Sequence, residues 1–88
     1  MNSIELVTSE GQDGPVYVRF SREKVASTEP TEVEDEVVVD YDAAGQVVGI
    51  ELVSICPETI AAFVDAARQH DLDIRALFAR TFAVPSAA

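Results

Sequence analysis

Hydrophobic and polar positions alternate with a period of two over the first part of the chain. Ile4, Leu6 and Thr8 alternate with Glu5, Val7 and Ser9, and Val16, Val18 and Phe20 alternate with Tyr17, Arg19 and Ser21. That period predicts two short strands, because successive side chains of a strand point to opposite faces. The Gly11-Gln-Asp-Gly-Pro15 stretch between them has turn composition and is short enough to join antiparallel neighbours. From Arg22 to about Glu34 the chain is polar, and Pro30 removes a donor and restricts φ. This predicts a long connection with one extended piece around Val25-Ala26-Ser27-Thr28.

Residues 36–53 form two β-branched runs around a turn. Gly45 suits the φ > 0 position of a three-residue turn with a bulge, and the Asp42 side chain is placed to bond the turn backbone. Pairing Asp42 with Gln46 puts Val37, Val39, Tyr41 and Val47 on one face and Val38, Val48, Ile50 and Leu52 on the other. In that register Gly49 lies across from Val39, where a ring such as Tyr17 or Tyr41 can lie over it. Glu51 is then within reach of Arg19. Both faces of such a hairpin are apolar, whereas a sheet covered on one side should alternate cleanly. A second copy of the chain is the simplest cover for the second face, so a homodimer pairing by face or edge is expected.

The period changes after residue 55. Pro57 fits the first helical position and Glu58 the positive end of the helix dipole, and Ile60, Phe63, Val64 and Ala67 form a helical stripe. Asp73 is a candidate cap for a second stripe of Ile74, Leu77, Phe78 and Phe82. The fold class is therefore α+β: an antiparallel β-meander of about four strands in chain order, with one or two C-terminal helices packed on one face. Residues 1–84 form a single small domain and 85–88 a frayed tail.

Charge sharpens this picture. The net charge is −10. Between Val25 and Ala67 stand Glu29, Glu32, Glu34, Asp35, Glu36, Asp40, Asp42, Glu51, Glu58 and Asp65, without one Lys or Arg. The other six acids are balanced by six bases, so the net charge resides in the central segment. Nucleic acid is excluded as a partner, because affinity there rests on basic side chains neutralising phosphates. A basic protein would be drawn in by the same field. No apolar run approaches the ~18 residues of a membrane span, so no membrane partner is expected. The first residues lack a basic segment followed by an apolar one, and the single Cys56 has no internal disulfide partner. Both point to a reducing cytoplasm.

Candidate chemistry is sparse. Asp40, Asp42, Gly45 and Glu51 follow the spacing of a calcium-binding helix–loop–helix, but Ala44 occupies a ligand position and the flanks are strand formers. The predicted hairpin also puts Glu51 on the face away from Asp40 and Asp42. His70 has no Cys or His at metal-ligand spacing, and Cys56 has no base nearby in the sequence. No metal site, cofactor or catalytic residue is predicted.

The segments Val16-Tyr17-Val18, Val25-Ala-Ser-Thr28-Glu29 and Val37-Val-Val-Asp40-Tyr-Asp42, with Gly45-Gln-Val-Val-Gly49-Ile50-Glu51-Leu52, resemble the small bacterial family known as domain of unknown function 2283. The resemblance covers about the first 54 residues and is most specific at Asp40, Asp42, Gly45, Gly49, Ile50 and Glu51. Gly14 and Pro15 depart from the family's pattern, and the extension after Pro57 is longer than its usual tail. The resemblance implies a small β-rich domain without established activity, some members being encoded beside small toxins. The expectation is a non-catalytic interaction protein, an antitoxin-like partner of a basic protein. Its candidate interaction surface is Glu29, Glu32, Glu34, Asp35, Asp40, Asp42 and Glu51. The alternative is a small ligand-binding or enzymatic domain whose site forms across a dimer.

Overall fold

The computed structural model describes residues 2–9 and 15–77, with Glu34 and Asp35 as backbone only. Strands β1 (Asn2–Ser3), β2 (Leu6–Ser9), β3 (Val16–Arg19), β4 (Ser27–Thr31), β5 (Glu34–Tyr41) and β6 (Val47–Leu52) precede helix α1 (Pro57–Gln69) and strand β7 (Leu72–Asp73). The fold is α+β: β2 to β6 form one five-stranded antiparallel sheet with α1 packed on one face. β1 and β7 pair in parallel as a separate two-stranded ribbon. Phe78 and Phe82 of the predicted second stripe and the tail at 85–88 lie outside the described residues. Residues 75–77 are helical, and Asp73 Oδ1 accepts the Arg75 N–H as a cap does.

The strands do not follow chain order. The sheet runs β2-β3-β6-β5-β4, a Greek key in which the chain leaves β3, crosses to the far edge and returns by two hairpins to lie beside β3. The connection expected over 22–34 contains β4, an edge strand with Pro30 paired to Val38. No hydrophobic period marks it. It is a strand because β5 offers it backbone partners, and a proline is tolerated only at such an edge. The crossing itself is held by Arg19, whose guanidinium donates to the carbonyls of Ser21 (2.7 Å) and Glu23 (3.1 Å). That use of Arg19 replaces the pairing with Glu51 expected from the sequence.

The hairpin turn forms as predicted. Gly45 has φ +84°, and Asp42 Oδ1 accepts the N–H groups of Ala44 and Gln46, each at 2.9 Å. Two residues further the register departs from expectation. Tyr41 pairs with Val47 but Asp40 pairs with Gly49, so Val48 is the extra residue of a bulge. One inserted residue exchanges the faces of everything beyond it. Ile50 and Leu52 therefore join Val37 and Val39 on the core face, while Gly49 and Glu51 face the other way with Asp40 and Val38. The second apolar face, on which self-pairing of the sheet rested, does not exist.

The core unites Val18, Phe20, Val37, Val39, Val47, Ile50 and Leu52 of the sheet side with Phe63, Ala66, Ala67 and Leu72. The helix is rotated relative to its predicted stripe. Thr59 is fully buried whereas Ile60 is 40% exposed. Thr59 Oγ1 donates to the Ser54 carbonyl (2.8 Å) and accepts the Cys56 N–H (3.0 Å), which locks the first turn with Thr59 facing inward. Cys56 is the N-cap residue, and His70 closes the helix at its other end.

Candidate interaction surface

On the sheet face away from α1, Tyr17, Thr28, Asp40 and Gly49 meet across four strands. Tyr17 lies on β3 and Asp40 on β5, with β6 between them. The ring crosses β6 directly over Gly49: a Cβ there would clash with Tyr17 Oη and Cζ and stand 2.7 Å from Cε2. Having crossed, the phenol donates to Asp40 Oδ2 at 2.8 Å, while Thr28 Oγ1 donates to Oδ1 at 2.6 Å. The ring over the glycine was one of two anticipated. Its carboxylate partner was not, because only the bulge brings Gly49 beside Asp40.

This network is closed. Burial, then the hydrogen bond to Asp40 and its charge, push the Tyr17 phenol well above its ordinary range, with Glu51 adding and Arg19 opposing. The phenol keeps its proton, and both oxygens of Asp40 are occupied by hydroxyl donors. Asp42 is spent on its own turn. Glu51 lies on the same sheet face as Asp40, a correction to the expected opposite placement. Even so, among the described residues no three His, Cys, Asp or Glu side chains are grouped to hold a metal ion.

The raised phenol has a pH consequence. The unfolded tyrosine loses its proton near pH 10 while the folded one holds it. The stabilisation is therefore complete below about pH 10 and is lost as pH rises beyond it. In spectrophotometric titration the phenolate of the folded protein should appear later than that of a free tyrosine. Tyr17→Phe should remove the more alkaline component and reduce the alkaline fall in stability; an unchanged titration would refute the assignment.

The acidic residues of the central segment distribute over two sides. Asp40, Asp42 and Glu51 belong to the hairpin, whereas Glu29 and Glu32 lie at the β4 edge and Asp65 on α1. Glu29 pairs with Val39 and so shares the helix side of the sheet. The helix lies over β5 and β6, and between it and β4 opens a groove of about 400 Å³. Val39, Tyr41, Ala62 and Ala66 contribute its apolar lining, and Glu29, Glu32 and Asp65 its carboxylates. At one end Tyr41 Oη and His70 Nε2 are 3.1 Å apart with the rings edge to face. Burial and then the charge of Glu29 raise the Tyr41 phenol. Among the described residues the ion pairs are Arg22–Glu5 and Arg75–Asp73. Neither draws on the ten central carboxylates.

Residues 16–55, just under half of the chain, match the model of a family described as protein of unknown function (DUF2283). The match starts at β3 and ends before α1, so it contains the Tyr17–Asp40–Thr28 network and Gly49. β1, β2, the helix and most of the groove's second wall fall outside it. No curated protein and no solved structure matches the chain.

Proposed function

We propose that this chain is a non-catalytic interaction protein that associates with a basic protein, in the manner of an antitoxin-like partner. The observation that carries the reading is the unneutralised central charge: ten carboxylates from Glu29 to Asp65, of which the eight with described side chains form no ion pair. Side chains that sequence alone offered for catalysis or binding, Asp40 and Asp42, are occupied by hydroxyl and backbone donors. Individual surface ion pairs contribute only about 0–1 kcal/mol. The field acts mainly on the association rate and is screened by salt. Co-purification from the source cell should return one stoichiometric basic protein. Its association rate should fall severalfold between ~0.05 and ~0.5 M salt, over which the Debye length shortens about threefold. A flat rate would reduce the acidic run to a solubility device.

Self-association is proposed through the edge β2 rather than a sheet face. The β4 edge carries Glu29 and Pro30 within the strand, features that oppose pairing with a like strand. β2 has neither a proline nor an acid within Leu6-Val7-Thr8-Ser9, the acids Glu5 and Glu10 standing only beyond its two ends in the sequence, and Leu6 is 55% exposed. Sedimentation equilibrium at micromolar concentration tests this, with Leu6→Lys expected to shift any dimer to monomer.

A further inference from the structure

We infer that the groove between β4 and α1 is where the basic partner docks, and that an arginine side chain on an extended segment is its anchor; this rests on the basic-partner reading above. The groove joins two properties that the adjoining hollow lined by Glu32, Glu58 and Asp65 does not, because that hollow also takes in Arg68. It is a concavity of about 400 Å³, within the ~300–1,000 Å³ of ligand-binding clefts, and its apolar lining of Val39, Tyr41 and Ala62 is ringed by Glu29, Glu32 and Asp65 without a Lys or Arg. A long cationic side chain fits such a lining because its stem is apolar and only its head needs carboxylates.

Three other occupants fit less well. A bare metal ion needs convergent ligands, and the groove's acids and His70 do not form such a group. A strand adding to β4 by backbone pairing meets Pro30, which has no N–H to offer. A second copy would set the same three acids against its own acidic surface. Arginine is favoured over lysine because Tyr41 presents an aromatic ring beside the carboxylates. A planar guanidinium both stacks on a ring and takes a carboxylate through two N–H groups.

The test uses the full chain and a capped hexapeptide containing three arginines, followed by amide chemical shifts. Lysine and citrulline versions serve as comparisons. Shifts should concentrate at Glu29, Tyr41, Ala62 and Ala66, with the arginine peptide binding tightest and the uncharged citrulline peptide weaker by about tenfold or more. Ala62→Leu narrows the groove without altering charge, and Glu29→Gln with Glu32→Gln alters charge at exposed positions without touching the core. Each should weaken the arginine peptide by about tenfold. The exposed pair keeps the test decisive if Ala62→Leu perturbs folding. Shifts scattered over the acidic surface and insensitive to the groove variants would overturn the docking site while leaving the basic-partner reading in place. Absence of binding by either cationic peptide at low salt would overturn both. Concentration-dependent groove shifts in the free chain would make a second copy the occupant and refute the inference.

Discussion

Phe63→Ala is expected to lower stability by about 3–5 kcal/mol, the cost of removing a buried ring and leaving a cavity. Phe63 is 2% exposed and is the largest fully enclosed or nearly enclosed side chain that α1 gives to the core. A chain of this length has about 4–13 kcal/mol of stability in total, so the variant sits at or near unfolding at ordinary temperature. Ile60 provides the comparison. Helical spacing puts Ile60 and Phe63 in one stripe, but Ile60 is 40% exposed, and Ile60→Ala should cost about 1 kcal/mol or less. Urea titration of the two variants reads the difference as a shift in midpoint at similar slope. Equal losses would mean that the helix packs by its predicted stripe and not as rotated by Thr59.

Gly49→Ala is expected to cost about 1–3 kcal/mol although it adds only a methyl group. The new Cβ would occupy space held by the Tyr17 ring. Either the ring moves and the Tyr17–Asp40 bond at 2.8 Å is lost, or the strand shifts against a close-packed core. The cause is the ring, so the two positions must be coupled. With Tyr17→Ala in place, Gly49→Ala should cost little, or stabilise slightly by restricting the unfolded chain. A double-mutant cycle in urea measures the coupling. The same penalty in both backgrounds would place the requirement for glycine in the backbone and dissolve the proposed unit of Tyr17, Gly49 and Asp40.

These two variants also bear on the surface. The Tyr17 network ties β3, β4 and β5 together through side chains, and β4 carries one wall of the groove. Loosening Thr28 and Asp40 on β4 and β5 would free the edge that positions Glu29 and Glu32, while the carboxylates themselves remain. Weaker peptide binding in Gly49→Ala at unchanged net charge is the outcome that the groove predicts and a purely diffuse field does not.

What sequence alone determined here is local. The Asp42–Gly45 turn rests on one side chain bonding nearby N–H groups and one residue free to adopt φ > 0. Pro57 and Glu58 mark the helix start, and β2, β3 and the hairpin strands show their period. Each depends on residues a few positions apart, so pattern and chemistry suffice. The ring over Gly49 was legible only in part, as a missing side chain with Tyr17 and Tyr41 as candidate rings; which ring covers it depended on the pairing of β3 with β6. Tertiary structure decided the rest. Val48 as a bulge has no mark in a run of valines, yet it set which face Ile50, Leu52 and Glu51 occupy and removed the apolar face expected for a dimer. The strand Ser27–Thr31 has no period and is defined by its partner β5. The order β2-β3-β6-β5-β4 depends on which strands bury most surface together, a comparison among distant segments. The groove exists only because α1 stops short of that edge strand. Its carboxylates were visible in the sequence as charge, but their arrangement around an apolar cleft required the fold.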